Sequence, residues 1–275
     1  MLIAAIDIGT NSIHMVIARA AGPTGFEVVD REREVVQVGR GSFGGVRLRV
    51  DAIRRTVDAL GRFVQLARRH QVDRILCTAT AAVREARNGG EFLAAAREAT
   101  GVTPRVIPAE EEGRLIYLAI KSALQLDVKP ALIVDIGGGS VQLVVGNREK
   151  CLKIVSAPLG ALRLTETMLE DDPPSRRELE RLERHIEKHL DRAMKAVLPL
   201  EPEQVYGSSG SIHALAQAAH WGETGSEIEH INGHVLSYDS LDQLTRRLQR
   251  MSLAERDRLP GLDAKRAEII LPGAM

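Results

Sequence analysis

Apolar residues along the chain keep two rhythms, and the order of those rhythms occurs twice. "LIAAIDI", from Leu2, is an aliphatic run of strand length and reads as a buried strand; "IHMVIAR", from Ile13, reads as its neighbour across a short turn. "GFEVVD" and "REREVVQV" complete an antiparallel set. From Asp51 the period lengthens. Ile53, Val57, Leu60, Val64 and Ala67 fall at helical spacing, with Asp51 placed as N-cap. "DRILCTAT" returns to strand, "GGEFLAAAREATG" is a helix closed by Gly101, "TPRVIPA" is a strand, and "EEEGRLIYLAIKSALQL" is a helix.

The scheme then restarts. "ALIVDI", "SVQLVVG" and "CLKIVSAPLG" read as three strands. Ser175 and Glu178 have the spacing of a capping box, and Leu179, Leu182, Ile186, Leu190, Ala193 and Val197 follow on one helical face. "QVYGSSGSIHALAQAAH" reads as strand, glycine turn and helix. Leu241, Leu244, Leu248 and Met251 mark another helix, and "SLAE" at Ser252 opens one more. The division between the two copies is expected at "LDVKP", giving domains 1–126 and 127–275. The fold class is α/β.

Composition narrows the classes. At 275 residues the chain is long for one core. Its 37 basic and 37 acidic residues cancel, so no global field points to nucleic acid or membrane, and 3% aromatic residues argue against base stacking. "MLIAAIDIGT" is too short and uncharged for a signal peptide, and no apolar run reaches membrane length, which predicts a cytoplasmic protein. Cys77 and Cys151 lie in predicted strands and read as thiols, not as a disulfide.

The chemistry sits where the two copies coincide. "DIGTNSIHMVIA" from Asp7 and "DIGGGSVQLVVG" from Asp135 match at Asp, Ile, Gly and Ser with a constant offset of 128 residues. A glycine turn between strands leaves successive N–H groups uncovered, and such a nest can wrap a phosphate. Asn11, Ser12 and Ser140 add side-chain donors beside Gly137, Gly138 and Gly139. An aspartate next to phosphate calls for a cation between them, so Asp7 and Asp135 point to magnesium. A duplicated domain can also keep such turns for folding alone. "GSSGSIHALA" from Gly207 is a third glycine turn, at a helix start, with Ser209 or Ser211 as an ordinary N-cap in the plain reading.

Glu110, Glu111 and Glu112 open a helix, where acids suit the macrodipole. One of them could equally serve as a general base beside phosphate. Arg84 and Arg87 in "TATAAVREARN" are candidate phosphate ligands, Arg87 reading better as a solvated residue. The histidines lack metal-ligand spacing; His14 stands in the first copy where Gln142 stands in the second, and His213 follows the third turn.

"DIGTNSIHMVIAR", "TATAAVREARN", "EEEGRLIYLA", "DIGGGSVQLVVG", "GSSGSIHALA" and "RAEIILPGA", in that order, resemble the exopolyphosphatase and guanosine pentaphosphate phosphohydrolase (Ppx/GppA) family. The resemblance implies two ribonuclease H-like domains of the actin, sugar kinase and acetate kinase type, with an interdomain cleft. It implies release of the terminal phosphate of polyphosphate, or of the 5′-γ-phosphate of pppGpp, with Mg²⁺ as cofactor. It also implies a homodimer that binds polyphosphate or guanosine penta- or tetraphosphate, and neither nucleic acid nor membrane. By position, the catalytic glutamate falls on Glu112 with Glu111 beside it. Phosphate contacts fall on Asn11, Ser12, Arg84, Gly137, Gly138, Gly139, Ser140, Ser209 and Gly210, and the metal on Asp135, Asp7 and Gln142. The family usually has Glu at position 142; Gln keeps an oxygen ligand without the charge. Family members also continue beyond "LPGAM" through a further strand and helix, so the second domain is expected to be short of them. A non-catalytic (p)ppGpp or polyphosphate sensor is the alternative, and a kinase-like phosphotransferase the third reading.

Overall fold

The computed structural model describes residues 1–22, 25–43 and 46–275. The chain divides into two compact units, Met1–Pro108 and Ala109–Met275.

In the first unit β1 (Leu2–Ile8), β2 (Ile13–Ala21) and β3 (Gly25–Glu34) form an antiparallel meander. The long helix α1 (Val50–Arg69) carries the chain to β4 (Arg74–Ala79), which pairs parallel to β1. Helices α2 (Ala81–Glu85) and α3 (Gly89–Thr100) lead to the two-residue β5 (Arg105–Val106), and the sheet order is β3-β2-β1-β4-β5. Ile6, Ile8, Ile13, Met15 and Ile17 turn one face of the sheet onto Leu60, Phe63 and Val64 of α1 and Phe92 of α3. On the opposite face Ala5 and Asp7 are exposed, so the aliphatic run of β1 is buried on one side only. "GFEVVD" and the start of "REREVVQV" form one strand, since nothing between Asp30 and Arg31 breaks the ladder to β2.

In the second unit α4 (Ala109–Ala123) precedes the sheet made by β6 (Ala131–Ile136), β7 (Val141–Gly146) and β8 (Cys151–Ala157). Helices α5 (Ala161–Met168) and α6 (Arg176–Val197) follow, then β9 (Gln204–Ser208), which pairs parallel to β6, and α7 (Gly210–Thr224). Helix α8 (Tyr238–Leu248) and three short helices complete the unit. Both sheet faces are covered, which is why every residue of β7 is buried. Leu143 and Val145 pack under Leu182 and Ile186 of α6, while Ile133 and Val144 pack with Tyr117 of α4.

Helix α4 therefore packs with the second sheet, and the division at Pro108/Ala109 precedes the one expected at residue 126. The second sheet has the order β8-β7-β6-β9 and stops at the position where the first continues into β5. An antiparallel meander extended by parallel pairing beside its first strand is a ribonuclease H-like arrangement, and it occurs in both units.

Local signals decide several boundaries. Gly101 closes α3 in the left-handed conformation at φ 75°. Ser175 and Glu178 form the capping box of α6. At α1 the N-cap is Arg49, not Asp51; Asp51 lies in the first turn, where Arg55 and Arg49 hold its carboxyl down to about 2. Cys77 and Cys151 are free, and burial, then the charge of Asp7, pushes the Cys77 thiol up to about 12. Among the described residues no helix is long and apolar enough to cross a membrane.

Candidate active site

The offset seen in the sequence is a geometric repeat. In the first unit Gly9 N–H donates to the Ser12 carbonyl at 3.0 Å, and in the second Gly137 N–H donates to the Ser140 carbonyl at 3.0 Å. Each bond closes a turn between an aspartate-bearing strand and its antiparallel neighbour.

What differs is how each turn is held from behind. In the first unit the segment after β3 supplies the donors: Gly39 N–H to the Thr10 carbonyl at 3.0 Å and Gln37 N–H to the Asn11 carbonyl at 2.8 Å. In the second unit the start of α5 does so. Ala161 N–H binds the Gly137 carbonyl at 2.9 Å, Arg163 N–H the Gly138 carbonyl at 3.0 Å, and Arg163 Nε the Gly139 carbonyl at 2.7 Å. Gly160 makes this possible, because a Cβ there would lie 2.2 Å from the Gly139 carbonyl carbon. The carbonyls are thereby consumed, while the N–H groups of Gly138, Gly139 and Ser140 have no protein acceptor among the described residues, nor do those of Thr10, Asn11 and Ser12. Three successive uncommitted amides in a tight turn are a ready anion nest. Gly160 and Arg163 escaped the sequence reading because their role is a tertiary contact that no local pattern signals.

Around the second turn the strand register builds a polar row. Asp135 on β6 lies opposite Gln142 on β7 and beside Ser208 on β9, and Gln142 lies opposite Ser156 on β8. Glu112 joins the row through Gly113. A Cβ on Gly113 would sit 2.5 Å from Ile154 Cγ2, so glycine lets the first turn of α4 lie directly on the sheet. Glu112 then raises the Asp135 pKa by its charge. The largest cause is burial, which with Glu112 lifts the Asp135 carboxyl to about 6 against the opposing hydrogen bond from Ser208. Glu111 and Glu112 are half-buried and Glu110 is exposed, so the three acids are not equivalent.

Gln142 is 1% exposed, and neither Oε1 nor Nε2 has a hydrogen-bond partner among the described residues. Unpartnered buried amides are rare and costly, at about 1–3 kcal/mol. Among the described residues no group of three or more acidic, histidine or cysteine side chains is placed to hold a metal ion. The donors present are hard oxygens, the Asp135 carboxylate with Glu112 nearby and the orphaned Gln142 Oε1. That set fits Mg²⁺, which keeps several of its own waters and needs few protein ligands.

The third turn is tightly held as well. Ser209 has φ 96° and ψ 158°, a region otherwise left to glycine, and its Oγ caps α7 by accepting from Ser211 and Ile212 N–H at 3.2 and 3.3 Å. The buried Arg266 guanidinium packs on Gly210, where a Cβ would meet Nη2 at 2.6 Å. Arg266 lowers the His213 pKa, after burial of the ring itself.

In the first unit Asp7 is exposed and accepts from Thr78 Oγ1 at 3.3 Å, and Ser12 Oγ pairs with His14 Nε2 at 2.8 Å. Asn11 is buried, and its Oδ1 has no partner among the described residues. Arg84 spends one N–H on the Ile107 carbonyl at 3.0 Å, and Arg87 is exposed. The structure thus gathers Glu112, Asp135, Gly137–Ser140, Gln142, Ser209 and Gly210 within the second unit, and Asp7, Asn11, Ser12 and Arg84 within the first.

A repeated ribonuclease H-like unit with acid-flanked, amide-lined turns is the frame of a phosphate-binding class of protein. Comparison makes this specific: the profile of the Ppx/GppA phosphatase family matches residues 15–275, and the chain belongs to that family. It is 30% identical over 279 residues to exopolyphosphatase 1 of Mycobacterium leprae, covering 100% of this chain and 81% of the relative. It is 32% identical over 285 residues to exopolyphosphatase 2 of Mycobacterium tuberculosis, covering 99% and 88%. Among solved structures, a Ppx/GppA family member from Aquifex aeolicus superposes with TM-score 0.79 at 30% identity, covering 100% of this chain and 87% of that one. An exopolyphosphatase from Cytophaga hutchinsonii, 24% identical and covering 100% and 88%, superposes with TM-score 0.93 and shares the fold.

Proposed function

We propose that this phosphatase-family protein releases the terminal phosphate of inorganic polyphosphate, the 5′-γ-phosphate of pppGpp, or both, by water attack on the phosphoric anhydride. The observation that carries the reading is the meeting of Glu112 with Asp135 beside a turn whose Gly138, Gly139 and Ser140 N–H groups are uncommitted. The names of the mycobacterial relatives support polyphosphate in particular.

The end phosphate docks on those three amides, which stabilise charge on its oxygens as the transition state forms. Asn11, Ser12 and Arg84 of the first unit and Ser209 with Gly210 of the second are assigned further phosphate contacts. Glu112 orients a water molecule in line with the terminal P–O–P bond and takes its proton, with Glu111 as the neighbouring acid. The new P–O bond forms as the anhydride bond breaks, and the shortened chain leaves with the bonding pair. Asp135 and Asp7, with Gln142 Oε1 beside them, would hold Mg²⁺, which would neutralise phosphate charge when bound. The mechanism passes through no covalent enzyme intermediate.

The uncharged Gln142 favours one alternative, a regulatory protein that binds polyphosphate or (p)ppGpp without turnover. Orthophosphate release from polyphosphate and from pppGpp, with and without Mg²⁺, decides between them. Magnesium-dependent release supports the hydrolase, and tight binding without release supports the sensor. We assign the working form as a cytoplasmic homodimer, which sedimentation of the full chain tests.

A further inference from the structure

We infer that Gln142 is a direct phosphate ligand: its Nε2–H donates to an oxygen of the bound end phosphate, while Oε1 faces the cation's shell. The inference rests on the reading of this face as a phosphate site.

The side chain is 1% exposed, and both of its polar atoms lack a partner among the described residues. Val144, two residues on along β7, and its β6 partner Ile133 are buried and apolar and offer no acceptor. Opposite it stand Asp135 on β6 and Ser156 on β8, neither bonded to its amide, and two positions before it stands Ser140, whose N–H is uncommitted. A site that leaves an amide oxygen and an amide nitrogen both open expects a ligand that presents a donor or cation together with an acceptor. A hydrated metal phosphate is such a ligand. A carboxylate of the same shape would place a third negative charge beside Glu112 and Asp135 and would offer the phosphate no donor. Glutamine therefore shifts the division of labour at this position, away from holding metal and towards holding phosphate.

The test is calorimetric binding by the full chain carrying Glu112→Gln, so that turnover does not enter. Two probes are used, tripolyphosphate in EDTA and Mn²⁺ alone. Adding Gln142→Glu is expected to weaken tripolyphosphate at least about tenfold, the scale of one hydrogen bond to a charged group, and to tighten Mn²⁺ by a similar factor. Gln142→Met, close in volume and apolar, is expected to weaken tripolyphosphate without tightening Mn²⁺, and to keep or raise the melting temperature because it removes an unpartnered buried amide. Unchanged tripolyphosphate binding in either folded variant overturns the inference, as do shifts of the two probes in the same direction in Gln142→Glu. No phosphate release by the wild-type protein, together with these opposed shifts in the variants, refutes the hydrolase reading and leaves the phosphate contact standing. Normal phosphate release with no shifts refutes the contact alone.

Discussion

Asp135 carries a stability cost in the folded chain. Burial, reinforced by Glu112, lifts its carboxyl from 3.8 to about 6 in the folded chain despite the Ser208 hydrogen bond. A raised folded pKa means the native state binds this proton more tightly than the unfolded chain does. Stability from this group is therefore fully present below 3.8 and is lost as pH rises through about 6. Asp135→Asn removes the penalty and is expected to stabilise the metal-free protein at pH 7.5 by roughly 2–3 kcal/mol while hydrolysis falls. Denaturant melts in EDTA at pH 3 and pH 7.5 check it: the two proteins should agree at the lower pH and separate at the higher. Ser209 carries a second local cost. Its positive φ stores about 1–3 kcal/mol, whereas replacing a serine cap by glycine loses only a few tenths. Strain wins, so Ser209→Gly should raise the denaturation midpoint; a lower midpoint would show that the hydroxyl does more than cap α7. The sequence marked Ser209 as a cap or a phosphate contact but held no sign of its dihedral angle, which the packing of Arg266 on Gly210 accompanies.

Among elements, α4 has the clearest link from packing to chemistry. Its first turn reaches the sheet because Gly113 has no Cβ to meet Ile154. Gly113→Ala is expected to cost about 1–3 kcal/mol by overpacking. It should also depress turnover more than it depresses substrate binding, because Glu112 moves while the glycine turn stays; equal effects on both would detach Glu112 from catalysis. Helix α6 depends on its cap. Burial pushes the Glu178 carboxyl up, but hydrogen bonds from Ser175 Oγ and from the N–H groups of Glu170, Ser175 and Asp171 outweigh it and bring the pKa to about 2. Stability from this cap is present above 4.5 and lost as pH falls through about 2. The stability gap between wild type and Glu178→Ala should accordingly close over that window in acid melts. The capping box was legible because its partners are three residues apart. The clamp of Gly160 and Arg163 on the glycine turn was not, because those residues come after a strand that carries no trace of the contact.

For the whole molecule, the duplication was readable from twelve-residue segments at one offset, since turn chemistry and strand alternation are local. Its unequal burial was not. β1 and β7 both look like aliphatic strands, yet only β7 is covered on both faces, by α4 and α6. The unit boundary shifted for the same reason: α4 follows the first copy in sequence but packs on the second sheet. The repeat of an acid-flanked amide turn in each unit is the basis for assigning phosphate chemistry to a chain without net charge. The most direct measurement is polyphosphate hydrolysis in ¹⁸O-water with Mg²⁺, comparing wild type with Glu112→Gln. Water attack on the terminal phosphorus predicts ¹⁸O in the released orthophosphate, at a rate cut roughly 10²–10⁴-fold in the variant. Near-normal release by Glu112→Gln, or orthophosphate without the label, would contradict it.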